Sequence, residues 1–248
     1  MNKDYYQEYY LLERNHWWFQ VREKIIEDSI KKYTSFTPGY KILNIGAATG
    51  RSSEMLSKYG TVTSIEYDKE CCEFTTRKTG LEILHGTILS LSFPDDYFDM
   101  VCAFDVIEHI EDDSKGVSEM VRVCKSAGNV FITVPAFKQL WSHHDVINHH
   151  YRRYKMSQIE SLFKACKGSI IFKSYFNSLL FLPIYAFRMS SKIIPEKWIR
   201  KDSGSDFSVN NNQVVNRILF KIFSFERFLL KKVRFPAGVS ILFMWKKL

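Results

Sequence analysis

No apolar run in this chain approaches the roughly 18 residues that a membrane-spanning helix needs. The longest candidate, Ser178 to Ala186, stops at Arg188. The five cysteines, Cys71, Cys72, Cys102, Cys124 and Cys166, are odd in number and form neither a CxxC pair nor the paired spacing of a zinc knuckle. That argues against a disulfide framework and for a reducing compartment. The amino terminus carries Asp4, Glu8, Glu13 and several tyrosines where a secretory leader would show a basic cap and an apolar stretch. No leader is expected there. Internal repeats and low-complexity tracts are also missing, which argues against a solenoid or a linker protein. A cytoplasmic protein is the expectation, with attachment to the inner face of the membrane as its extension.

What is present suits one sizeable α/β core, or at most two small domains, in 248 residues. The 15% aromatic content is high and suggests aromatic surface facing an apolar partner. Charge is unevenly spread: from Lys167 onward 15 Lys/Arg stand against 4 Asp/Glu, whereas the first 166 residues hold 20 basic and 23 acidic residues. A basic carboxy-terminal third implies an anionic partner such as an anionic membrane surface, nucleic acid or a phosphorylated substrate, or else a merely solvated face.

Apolar spacing predicts a helix over residues 5–33, closed by Thr37, Pro38 and Gly39. Strands follow at 41–45, 61–66, 81–85, 98–104 and 129–134, with helices at 52–58, 69–78 and 114–123 between them. Such alternation means parallel βαβ units in an open sheet. After Val134 comes a His-, Trp- and Arg-rich connection to Tyr154. A helix from Ser157 follows, where Ser157 and Glu160 have the spacing of a capping box. Further strands are expected at 169–175 and 239–245, separated by about 60 basic and aromatic residues. An insertion that long inside a compact domain is usually functional.

The first strand ends in Asn44-Ile45-Gly46-Ala47-Ala48-Thr49-Gly50, a glycine turn opening a helix. Such a turn offers backbone N–H groups and close approach. Glu66, twenty residues after Gly46, ends the next strand, where a carboxylate binds ribose hydroxyls. A dinucleotide would need a second glycine for its pyrophosphate. Ala47 and Ala48 stand there instead, which favours a nucleoside cofactor without phosphates.

These residues resemble a known family. Ile42-Leu-Asn-Ile-Gly-Ala-Ala-Thr-Gly50 is similar to the first motif of class I methyltransferases, and Thr63-Ser-Ile-Glu-Tyr-Asp68 to their ribose-binding motif. His85 to Asp99 and Phe104-Asp-Val-Ile-Glu-His-Ile110 resemble the next two, in the family's order and spacing. Glu13-Arg-Asn-His-Trp-Trp-Phe19, Trp141 to Asp145, His149-His-Tyr-Arg-Arg-Tyr154 and Phe235 to Ser240 look like a subgroup associated with glycan or lipid-linked biosynthesis. The resemblance implies S-adenosylmethionine as cofactor. It would be bound by Asn44, Gly46, Ala47, Gly50, Glu66, Tyr67, Thr87, Ile88 and Asp105, with Arg22 on its carboxylate. The chain departs from the pattern where an acidic residue is replaced by Asn44, a glycine by Ala48 and an aspartate by Thr87. Each acidic replacement removes a negative charge near the cofactor.

Four of the seven histidines are His143, His144, His149 and His150. A polar surface loop, an acid/base and anion site, and a metal site all fit such a cluster. The methyltransferase context favours the second. His144 or His149 is then the expected base, Asp145 orients an imidazole, and Arg152, Arg153 and Tyr154 hold the acceptor. His109, after the fourth strand, faces the substrate crevice. No established ligand spacing occurs, so no metal is expected.

The expected architecture is a Rossmann-like seven-stranded mixed sheet with strand 7 antiparallel. Residues 1–38 form a helical cap, 39–176 and 239–248 the core, and 177–238 a helical insertion. The expected reaction is methylation, at oxygen, of a small-molecule, glycan or lipid-linked acceptor. A nicotinamide-dependent oxidoreductase and a degenerate, non-catalytic binding module are the alternatives. The insertion is expected to meet an anionic membrane or a lipid-linked acceptor, or to form a homodimer contact. Nucleic acid is not expected, as no asparagine–proline–aromatic motif is present.

Overall fold

In the computed structural model, residues 3–191 and 213–248 are described. One sheet contains β1 (Lys41–Ile45), β2 (Thr61–Glu66), β3 (Ile83–His85), β4 (Phe98–Phe104), β5 (Cys124–Pro135), β6 (Gly168–Phe176) and β7 (Ser240–Lys247). Their order is β3-β2-β1-β4-β5-β7-β6. The first five are parallel, and β7 runs antiparallel to both β5 and β6. This is the Rossmann-like mixed sheet that the alternating pattern implies.

Helices α1 (Lys3–Asn15), α2 (Trp17–Tyr33), α3 (Arg51–Leu56), α4 (Lys69–Thr79), α5 (Asp113–Val123), α6 (His143–Ile147), α7 (Met156–Leu162), α8 (Phe181–Ser191) and α9 (Gln213–Leu230) surround it. The central strands are apolar on both faces, as parallel strands covered on two sides must be. Met100, Cys102 and Phe104 of β4 pack in one layer with Val21, Ile25 and Ile30 of α2 and Phe223 of α9. Val101 and Ala103 pack in the other with Val117 and Met120 of α5.

Three details differ from the local pattern. The helix expected over 5–33 breaks at His16, which is extended (φ −75°, ψ 135°) and accepts from Trp18 N through its ring. Because Val21, Ile25, Ile26 and Ile30 are buried with the sheet, α2 is a core layer, and only α1 lies over the site as a cap. Helix α7 starts one turn position earlier than Ser157: Lys155 N donates to Gln158 Oε1, so the Ser157–Glu160 box does not form. The edge strand expected over 81–85 shortens to β3, which has only β2 to pair with. Of the insertion at 177–238, residues 192–212 lie outside the described residues; α9 docks on α2, where Arg227 donates twice to Asp28 at 2.7 and 2.8 Å.

Candidate active site

The carboxyl ends of β1, β2, β4 and β5 meet at one edge of the sheet, where open α/β sheets bind ligands. Gly46 (φ +70°) turns the chain there, and a Cβ on it would lie 2.5 Å from Val106 Cγ2. Only glycine lets the segment after β4 close over this turn. Gly46 N and Ala47 N donate to Ile65 O at 2.9 and 3.0 Å, and Gly50 (φ +87°) opens α3. Ala48 N donates to Glu66 Oε2 at 2.9 Å, while Tyr67 N and Asp68 N donate to Oε1 at 2.8 and 3.1 Å. The Glu66 carboxylate is thus held across the mouth of the turn, beside the exposed ring of Tyr67.

The other residues expected to hold a cofactor fall around this point with different roles. Thr87 Oγ1 accepts from Leu89 N at 3.2 Å, and its own hydrogen remains to donate. Ile88 is buried against Gly116, so its side chain belongs to the core and only its backbone can serve a ligand. Asn44 donates to Ser52 Oγ and Ser53 Oγ, both at 2.8 Å, while its Oδ1 is buried without a partner. Here an uncharged amide suits the two hydroxyls below it, which gives Asn44 a local reason.

Helix α1 contacts this turn, and Arg22 reaches the ends of β4 and β5. Tyr6 donates to Asp68 Oδ2 at 2.8 Å, the Thr49 hydroxyl donates to Glu13, and Tyr5 donates to Asn148 Oδ1 at 3.3 Å. One helix therefore spans the glycine turn, the start of α4 and the histidine-rich connection. Burial pushes the Glu13 carboxyl up to about 7, although the Thr49 hydroxyl and Arg14 pull the other way. Arg22 Nη2 pairs with Asp105 Oδ2 at 2.7 Å and donates to Thr133 Oγ1 at 3.0 Å; its Nε is buried without a partner. Asp105 itself sits at φ +58°, turned by its position just past β4.

Past β4, the 3-10 turn Ile107–His109 presents Glu108 and His109. The connection from β5 returns beside it, because Tyr154 N donates to Pro135 O and Phe137 N to Tyr154 O, both at 2.9 Å. Tyr154 is buried and donates to Ile107 O at 3.2 Å and Asp113 Oδ2 at 2.7 Å. Asp145 is sealed from solvent and accepts from Arg153 Nε at 2.7 Å, Ser142 N at 2.8 Å and, at 2.8 Å, His150 Nδ1.

These contacts show where the residues expected on the acceptor side lie. Asp145 does orient an imidazole, but that imidazole is His150, which local spacing did not single out. Arg153 and Tyr154 are buried and bonded inside the fold, where they brace the connection. Arg152 pairs with Asp113 at 2.9 Å and donates to Glu111 O at the surface. His149 is exposed at φ +55°, and His144 stacks edge-on toward His150, with ring centroids 6.0 Å apart.

His109 meets His150 edge to face at 4.5 Å, and burial, followed by the His150 charge, pushes the His109 imidazole down to about 4. Glu108 is fully buried; burial and then the Asp105 charge push its carboxyl well above the usual range. One donor atom from each of Glu108, His109 and His150 lies within 4.8 Å of the others. Glu108 and His150 join His109 in this cluster, and the sequence pattern did not single them out. A carboxylate next to a histidine at a strand end was the available signal.

Residues 43–132 match the family model described as a methyltransferase domain. Residues 43–132 are a methyltransferase domain. The chain is 26% identical over 126 residues to a probable S-adenosylmethionine-dependent methyltransferase of Mycolicibacterium smegmatis, covering 50% of this chain and 48% of that protein. It is 33% identical over 101 residues to a phosphatidylethanolamine N-methyltransferase of Cereibacter sphaeroides, covering 38% and 50%. The chain thus spans about half the length of the curated relatives it matches. A solved S-adenosylmethionine-dependent methyltransferase from Archaeoglobus fulgidus shares the fold, with a TM-score of 0.58 and 14% identity over 96% of this chain and 99% of that one. The cofactor that this methyltransferase domain implies is S-adenosylmethionine. The residues fit it: a held carboxylate at the end of β2 suits ribose hydroxyls, and the unpartnered Arg22 Nε suits a carboxylate.

Proposed function

We propose that this chain transfers a methyl group from S-adenosylmethionine to an oxygen of an amphiphilic, lipid-linked acceptor at an anionic membrane surface. The reading of the site rests on Glu66, held by the glycine turn, and on Arg22, which reaches Asp105 just past β4. Glu66 would hold the ribose, and Arg22, with its free Nε, the methionine carboxylate. When bound, the cofactor supplies an activated methyl group, so the chain must align the acceptor, exclude water and receive a proton. Helix α1 shields the glycine turn. The acceptor would enter beside the cluster of Glu108, His109 and His150, whose imidazoles face the crevice after β4. His150, oriented by Asp145 through Nδ1, has its Nε2 directed away from that carboxylate and able to accept a proton.

One observation carries the choice of acceptor. Leu182 and Phe187 of α8 are 73% and 70% exposed, and Ile218, Phe225 and Phe228 of α9 are also exposed. They stand among Arg188, Arg217, Lys221, Lys231, Lys232 and Arg234. Helix α8 adjoins the site: its Phe181 lies 5.5 Å from Phe137, which directly follows the end region of β5. Apolar residues among bases suit a lipid headgroup boundary, where each Lys or Arg adds about 1 kcal/mol. Among the described residues no helix is long and apolar enough to cross a membrane, so contact would be peripheral. The relative named for a phospholipid substrate supports the same class of acceptor.

The test combines vesicle co-sedimentation with an acceptor screen that reads S-adenosylhomocysteine release. Binding to anionic vesicles that fades with salt, and turnover of a lipid-linked hydroxyl, are the expected results. A chain that stays in the supernatant at low salt, with the α8 and α9 surface buried in a dimer, overturns the membrane reading. Turnover only at nitrogen overturns O-methylation.

A further inference from the structure

Glu108 is fully buried, yet neither of its carboxylate oxygens has a hydrogen-bond partner. Buried polar groups are almost always paired, because stripping water from one without compensation costs free energy. A carboxylate stripped of water therefore needs a cation or donor from elsewhere. Arg153, in the connection, already donates to Asp145 and Ala136 O, and Arg22 pairs with Asp105.

What stands beside Glu108 is a pair of imidazoles. Its donor atom and those of His109 and His150 lie within 4.8 Å of one another. Donors sharing one ion at about 2.0–2.2 Å sit roughly 3–3.5 Å apart, so side-chain movement of about an ångström closes the set. The backbone holds the three in place: Tyr151 N donates to Glu108 O at 2.8 Å, and Tyr154 braces the 107–109 turn from below. His150 also has the support a ligating histidine normally has. Its Nδ1 meets Asp145 Oδ1 at 2.8 Å, which leaves Nε2 as the ligating nitrogen and raises its strength as a ligand.

We infer that Glu108, His109 and His150 form a binding site for one divalent first-row transition cation, with Asp145 as the positioning residue for His150. Two imidazoles and one carboxylate match zinc, manganese or iron better than magnesium or calcium, which prefer all-oxygen shells. Three protein ligands leave coordination positions open, as in catalytic rather than structural sites. The site lies on the acceptor side of the glycine turn. Its chemical role rests on the methyl-transfer reading above, whereas the site itself does not. In that reading an ion here would bind the acceptor oxygen and lower its pKa, so that the hydroxyl proton passes to solvent water before methyl transfer, and with the ion bound His150 would act as a ligand in place of the base.

The experiment uses the full chain after chelator treatment, titrated calorimetrically with Zn²⁺, Mn²⁺ and Mg²⁺, and separately with S-adenosylmethionine. One equivalent of Zn²⁺ or Mn²⁺ should bind, with Mg²⁺ at least tenfold weaker. Glu108→Gln and His109→Ala should each weaken the ion at least thirtyfold, and Asp145→Asn by 10- to 100-fold. His143→Ala, an exposed histidine outside the cluster, should leave it unchanged. Cofactor affinity within twofold of the parent chain certifies that the variants are folded. No stoichiometric ion, or an ion indifferent to Glu108→Gln and His109→Ala but lost with His143→Ala, overturns the site. A chain that binds the ion but no S-adenosylmethionine leaves the site standing and overturns the methyltransferase reading instead.

Discussion

Asp145 and Arg153 meet at 2.7 Å in the interior, with their side chains 0% and 4% exposed. A pair so thoroughly desolvated is costly to break, because removing one partner leaves the other charge buried and alone. Arg153→Ala should therefore destabilise the protein by about 3–5 kcal/mol in chemical denaturation. Replacement of the half-buried Arg152, paired with Asp113 near the surface, by alanine should cost less, about 1 kcal/mol. Equal costs for the two would contradict the assignment of Arg153 as a brace.

Glu66 is held by three backbone N–H groups and aimed across the glycine turn. Glu66→Ala should weaken S-adenosylmethionine at least tenfold, about 1.4 kcal/mol, in isothermal titration. A folded variant with unchanged affinity would remove the ribose-binding role.

Ala48 occupies the left-handed region at φ +44°, where a Cβ is strained and glycine is not. Ala48→Gly should stabilise the protein by up to about 1 kcal/mol, because relief of strain exceeds the added freedom of the unfolded chain. Unfolding midpoints of the two proteins decide this, and a destabilised glycine variant would count against a strained turn.

Glu13 titrates near 7 when α1 is docked, above its ordinary value of 4.5, because docking buries it. A carboxyl raised in the folded state contributes its stability fully below the unfolded value and loses it as pH rises through the folded one. Helix α1 should therefore loosen as pH rises from about 4.5 to about 7. Hydrogen exchange over residues 5–15, corrected for intrinsic rates, should speed up across that interval in the parent chain but not in Glu13→Gln. The same pH response in both proteins would rule out Glu13 as its source.

The order of strands and helices from Lys41 to Pro135, the glycine turn and the place of Glu66 were legible in the sequence. Each depends on neighbours within one βαβ unit, where apolar period and turn chemistry act locally. The break at His16 was harder to see, since apolar spacing runs through it and only the packing of α2 under the sheet separates the two helices. The cluster of His109 and His150 was decided by tertiary structure alone. His109 and His150 are 41 positions apart, and nothing in the intervening pattern says that the connection from β5 returns beside the 107–109 turn. Likewise Asp145 had four histidines and two arginines within reach along the chain. Burial chose His150 and Arg153, because a carboxylate sealed from water must be satisfied by whichever donors the fold brings inside with it.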